Sequence, residues 1–120
     1  MTSAPIRSHR ELIVWQKAML VRKEVRKVLL LLSPHDRSEI GAQVARAALS
    51  IPSNIAEGYC RPGRKDYKQF LSYARGSAGE LDTHLRTIAE DYPELALRID
   101  AILARLDEVS RMLATIIRKL

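Results

Sequence analysis

Three histidines, one cysteine and fourteen carboxylates are the side chains with which this sequence could do acid–base, nucleophilic or metal chemistry. Their spacing argues against each. A di-iron bundle centre needs Glu-x-x-His on facing helices, and no glutamate here has histidine three residues later. Glu80 and His84 stand one helical turn apart, the spacing of a surface pair. His9 and His35 fall in other blocks of the chain, so no closed metal shell assembles from neighbours. Cys60 has no nearby histidine, and Arg61 alone does not make it a nucleophile, so it reads as a turn cysteine. One cysteine cannot close an intrachain disulfide, which fits a reducing compartment and predicts a cytoplasmic protein. No serine sits in a nucleophile-elbow context, and no glycine-rich phosphate loop follows a strand. The expectation is a protein that is not an enzyme, with no cofactor and no metal.

Charge carries more information. The chain has 20 Lys+Arg against 14 Asp+Glu, a net charge of +6. Residues 1–32 hold seven basic and two acidic residues, whereas residues 33–63 and 64–92 are each neutral and residues 93–120 are +1. Lys17, Arg22, Lys23, Arg26 and Lys27 crowd into three turns of that first block. Such a cluster is either an ordinary solvated helix face or a site for polyphosphate. No aromatic RNA-recognition motif, zinc knuckle or helix-turn-helix signature accompanies it, so binding there would follow the backbone rather than base sequence. Trp15, Met19, Arg22 and Arg26 form a second stripe at steps of 4, 3 and 4. It either widens the core face or forms a subunit interface, where Trp, Met and Arg are enriched.

These residues need elements to position them. Ser33-Pro34, Pro62-Gly63 and Tyr92-Pro93 divide the 120 residues into four similar blocks. In each, apolar residues recur at alternating steps of 3 and 4, the mark of an amphipathic helix. The stripes are Val14, Ala18, Val21, Val25, Val28 and Leu32; then Ile40, Val44, Ala47 and Ile51; then Tyr67, Leu71, Ala74, Ala78, Leu81, Leu85, Ile88 and Tyr92; then Leu95, Ile99, Ile102, Leu106, Val109, Leu113, Ile116 and Leu120. Helices are predicted over about 9–32, 34–60, 64–91 and 93–119, the first with Ser8 and Glu11 as a capping box and the second capped by Ser33. Helices of about 35 Å joined by short turns predict an all-α, single-domain (1–120), up-down-up-down antiparallel four-helix bundle. Two hairpins that complete their core by dimerising would use the same stripes. The longest apolar run, Val28–Leu32, is far short of the roughly 20 residues of a membrane span, and Met1–Arg10 lacks the apolar core of a signal peptide.

Two local features ask for an explanation. Pro52 interrupts the second helix and predicts a kink, because it removes a backbone N–H and crowds the Ala48 carbonyl. Asn54 and Glu57 would then recap the continuing segment, which stops near Gly58 to Arg61. The same residues could form a binding site around the freed carbonyl; capping accounts for each residue type. Gly76 and Gly79 lie inside the third helix, where each costs roughly 1 kcal/mol relative to Ala. Close approach of another helix at Gly41, Ala42, Ala45 and Ala48 would offset that.

Several segments together resemble a known family. They are Leu12-Ile13-Val14-Trp15-Gln16-Lys17-Ala18, Ser50-Ile51-Pro52-Ser53-Asn54-Ile55-Ala56-Glu57-Gly58-Tyr59, Phe70-Leu71, Ala74-Arg75-Gly76-Ser77 and Glu80-Leu81. They look like the bacterial four-helix-bundle family named after proteins encoded in intervening sequences of 23S ribosomal RNA genes. The resemblance spans residues 9 to 90; the fourth helix matches in period only, and Tyr73 and Gly79 depart from the aliphatic residue and alanine of the pattern. It implies a homo-oligomer, typically a ring of five. It also implies a fold similar to the basic pentameric accessory proteins of diversity-generating retroelements, which bind nucleic acid and a reverse transcriptase. A ring would repeat the first-helix cations five times over. The expected function is therefore nucleic-acid binding, RNA before duplex DNA, through that helix. The alternative is a protein–protein assembly module whose basic face meets an acidic partner.

Overall fold

A computed structural model describes residues 7–120; residues 1–6, the start of the predicted domain, lie outside the described residues. The chain is all-helical, with no strand among those residues. Four long helices carry the fold: α1 (Ile13–Leu29), α3 (Gly41–Tyr59), α4 (Arg64–Asp91) and α5 (Ala96–Lys119). Between the first two sits a short helix, α2 (Pro34–Glu39). Contacts run α1 to α3, α3 to α4, α4 to α5 and α5 back to α1, which closes the four around one core.

The apolar stripes form that core. Val14, Ala18, Val21, Val25 and Val28 of α1 meet Val44, Ala47, Ala48, Ile51 and Ile55 of α3. Leu71, Ala74, Ala78, Leu81, Leu85 and Ile88 of α4 meet Ile99, Ile102, Leu106, Val109 and Leu113 of α5. Ile40, Tyr67, Tyr92, Leu95, Ile116 and Leu120, the stripe ends, are half-buried against it. No polar or charged side chain is buried among the described residues, so burial of apolar area drives packing without buried ion pairs.

The ends of the helices depart from the predicted spans. Ser8 does cap a turn, but the turn is a short 3-10 segment, His9–Glu11: Arg10 N–H donates to Ser8 Oγ at 3.0 Å and Arg7 N–H to Glu11 Oε2 at 3.2 Å. Leu12 is extended, and α1 begins after it. α1 stops at Leu29 rather than near 32 because Arg37 takes its terminal carbonyls. The guanidinium donates to Leu29 O, Leu30 O and Leu32 O, capping α1 from a neighbouring segment. The second predicted helix divides at Ile40 into α2 and α3. Ser33 caps α2 as expected, with Asp36 N–H on its Oγ at 3.2 Å. Tyr92 then fastens α2 in place: its hydroxyl donates to Asp36 Oδ2 at 2.6 Å and accepts from Ser33 N–H at 3.0 Å. The fourth predicted helix opens as a 3-10 turn, Pro93–Leu95, before α5.

The capping role predicted around Pro52 is corrected. α3 is one helix from Gly41 to Tyr59 with Pro52 buried inside it, so no second segment needs a cap. Asn54 instead donates its side-chain amide to Ser50 O at 2.8 Å and to Ser50 Oγ at 3.0 Å. Ser50 Oγ in turn lies 2.7 Å from Ser77 Oγ, which ties α3 to α4. Glu57 pairs with Arg61 at 3.2 Å. The close approach predicted at Gly76 and Gly79 is also corrected. Both glycines are exposed, and a Cβ on either meets nothing within 4 Å. The close approach is at Gly58, where a Cβ would stand 2.7 Å from Phe70 Cβ and 3.2 Å from the Tyr67 carbonyl.

Candidate nucleic-acid interface

The five first-helix cations do not act as one patch. At 100° per residue, Lys17 and Lys27 lie on one side of α1 and Arg22 and Arg26 on the other, with Lys23 pointing outward between them. The ion pairs follow that division. Lys17 Nζ reaches Glu108 Oε1 of α5 at 3.0 Å, and Lys27 Nζ reaches Glu24 Oε1 at 3.2 Å. The side chains of Arg22, Lys23 and Arg26 have no hydrogen bond or ion pair among the described residues. Charge that a carboxylate already holds is less available to a phosphate, so the trio is the electrostatic core of the candidate site.

The second predicted stripe also separates. Trp15 packs against the core, with the His9 ring edge-on at 5.2 Å. Met19 is half-buried, and Leu20 beside it is 48% exposed. Trp15, Gln16, Met19, Leu20, Arg22 and Lys23 line one shallow groove of about 640 Å³. Arg26 lines a different groove, with Leu29, Leu30, Arg37, Gly41 and Ala45. Trp15 thus serves the core and edges a groove at once, while Met19, Arg22 and Arg26 remain on the surface side of the stripe.

The remaining chemistry-bearing residues stay apart. His84 Nε2 lies 3.7 Å from Glu80 Oε2 on α4, and Cys60 is exposed at the end of α3. No group of three or more His, Cys, Asp or Glu capable of holding a metal occurs among the described residues. No helix there is long and apolar enough to cross a membrane.

A second surface escaped the charge accounting. At the turn between α3 and α4, Tyr59 and Tyr67 meet edge-on at 6.0 Å, and Phe70 and Tyr73 meet edge-on at 5.5 Å. The Arg61 guanidinium lies over the Phe70 ring, 5.0 Å from its centre. Burial, and then Tyr59 beside it, raise the pKa of the Tyr67 phenol above the ordinary tyrosine value. Four of the six aromatic residues fall between positions 59 and 73, and residues 57–75 hold five basic and two acidic residues. A block boundary at Gly63 cuts this excess in two. The acidic residues at the far ends of both blocks then cancel it. A sliding charge window with the aromatics marked would have shown it.

The model of the 23S rRNA-intervening sequence protein family matches residues 10–115. No curated protein matches the chain. Among solved structures, the chain is similar to a protein of unknown function from the S23 ribosomal protein family of Bacteroides thetaiotaomicron. The TM-score is 0.80 at 21% sequence identity, over 88% of this chain and 98% of that one. At that identity the likeness speaks for the fold alone.

Proposed function

The chain belongs to the 23S rRNA-intervening sequence protein family, and from that premise we propose that it is a non-enzymatic, cytoplasmic, homo-oligomeric nucleic-acid-binding protein. Its four long helices are taken as an up-down-up-down antiparallel bundle, and the oligomer as a ring of five. The preferred ligand is RNA, held through phosphate contacts. The observation that carries the reading is the trio Arg22, Lys23 and Arg26, three cations on adjacent turns of α1 without a carboxylate partner among the described residues. Unpaired cations repeated around an oligomer attract a polyanion and release its counterions, which makes binding steeply salt-dependent. The test is a salt titration of binding to a labelled RNA, with the variant Arg22→Gln/Lys23→Gln/Arg26→Gln alongside. The parent binds at about 50 mM salt and weakens as salt rises. Absence of binding there, or binding indifferent to salt, refutes the reading.

A second reading has its own observation. The groove along Trp15, Met19 and Leu20 is apolar beside its cations, and such a mixture suits a protein interface. On this reading the chain is an assembly module that meets an acidic partner protein. Pull-down with and without nuclease separates the two: partners that survive nuclease favour the module, and partners lost with it favour nucleic acid.

A further inference from the structure

The short helix α2 brings a second arginine to the end of α1. Arg37 donates from Nε to Leu29 O and from Nη2 to Leu30 O and Leu32 O. These bonds fix the guanidinium without neutralising it, because carbonyls are dipoles and no carboxylate pairs with Arg37 among the described residues. Its Nη1 makes no hydrogen bond there and keeps its donors free. Arg37 lines one groove with Arg26, whose side chain has no partner either, and with Leu29, Leu30, Gly41 and Ala45. None of the lining residues is acidic. Carbonyls at the end of a helix repel an anion, but here Arg37 occupies three of them. The groove holds about 230 Å³. That is less than the roughly 300–1,000 Å³ of pockets for drug-sized ligands, so it suits one small charged group.

Two guanidiniums without a counter-charge match an anion of charge near −2. A carboxylate or an internal phosphodiester brings a single negative charge. A phosphate monoester brings about −1.5 to −2 at pH 7, with three acceptor oxygens for the two arginine forks. We propose that the groove where α1, α2 and α3 meet is a phosphate-monoester site, in which Arg26 and Arg37 hold one phosphate between them. Because its bonds to α1 already place Arg37, little side-chain freedom is lost on binding. The proposal deepens the nucleic-acid reading and rests on it for the source of the phosphate, the end of a strand; free inorganic phosphate offers the same chemistry. Arg22 lies one turn, about 6 Å, before Arg26 on the same side of α1. A strand whose backbone follows that side therefore ends where α2 closes the groove. Arg26 is shared with the nucleic-acid reading, and Arg37 lies outside it.

The experiment uses the full chain and four probes. One is inorganic phosphate; the others are an unstructured RNA of about 12 nucleotides with no terminal phosphate, with a 5′-phosphate and with a 3′-phosphate. Inorganic phosphate, compared with chloride at equal ionic strength, shifts the backbone amide NMR signals of Gly41 and Ala45 saturably. A terminal phosphate at one end of the RNA raises its affinity about tenfold, the lower range for hydrogen bonds to charged groups. Arg26→Gln and Arg37→Gln each abolish both effects. Arg26→Gln removes no internal side-chain bond, so it carries the test even where Arg37→Gln loosens the end of α1. Arg22→Gln/Lys23→Gln weakens all three strands alike and leaves the gain from the terminal phosphate in place. A gain from the terminal phosphate without a response to inorganic phosphate assigns the site to strand ends. A response to inorganic phosphate without that gain assigns it to free phosphate. If in addition no strand binds, the nucleic-acid reading fails and the site stands. The proposal is overturned if neither effect occurs, or if either survives in Arg26→Gln.

Discussion

The seam between α3 and α4 and the outward face of α1 differ in one respect: whether the residues are accounted for by the chain itself. Along the seam each unusual residue has an internal reason. Gly58 makes room for Phe70, Ser50 meets Ser77, and Asn54 holds the Ser50 carbonyl. On the solvent side of α1, the side chains of Arg22, Lys23 and Arg26 have no partner among the described residues, and Leu20 lies beside them in solvent. Within α1 the same contrast recurs, because Lys17 and Lys27 are held by Glu108 and Glu24. Formal charge is thus a poor guide to available charge, and the lack of an internal partner is the better sign of an external one.

The comparison can be broken from either side. Seam substitutions must change stability and spare binding, and face substitutions must do the reverse. The largest expected effect is on the face: Arg22→Gln/Lys23→Gln/Arg26→Gln lowers RNA affinity roughly 100-fold, near 1 kcal/mol per lost contact, with an unchanged helical circular dichroism spectrum. Gly58→Ala gains helix propensity of about 1 kcal/mol but must displace Phe70 Cβ and the Tyr67 backbone. Overpacking of that kind outweighs the gain, and a net loss of about 1–2 kcal/mol is expected in urea unfolding. Ser50→Ala leaves Ser77 and Asn54 short of a partner and costs about 1 kcal/mol by the same measurement. Gly76→Ala and Gly79→Ala meet open space, so each stabilises the chain by about 0.5–1 kcal/mol. Smallest is the exposed Lys17–Glu108 pair, for which a double-mutant cycle gives about 0.2–1 kcal/mol, shrinking as salt rises.

The period-3.5 stripes made the core legible, since apolar spacing and burial are the same constraint: Val14 through Val28, and Leu71 through Ile88, are buried as spaced. Helix ends were less legible because distant residues set them. Arg37 closes α1 and Tyr92 fastens α2, and neither contact leaves a local pattern. The apolar step from Ile40 to Val44 runs straight across the α2–α3 break and hides it. The glycines misled for a related reason. Their cost was visible in the sequence, but which of them faces a neighbour depends on packing, and it is Gly58. At the candidate site the basic excess of the first block was legible, but its division into held and free cations was not, because Glu108 lies 91 residues beyond Lys17.

The most direct test is the slope of log affinity against log salt for an unstructured RNA, measured for the parent and for two variants. For single strands the slope is about −0.7 per neutralised phosphate. Arg22→Gln/Lys23→Gln/Arg26→Gln should flatten it by about 2 per subunit engaged, while Lys17→Gln/Lys27→Gln should change it far less. Equal flattening by both variants, or no change from the first, would contradict the claim that the unpaired cations of α1 form the nucleic-acid contact.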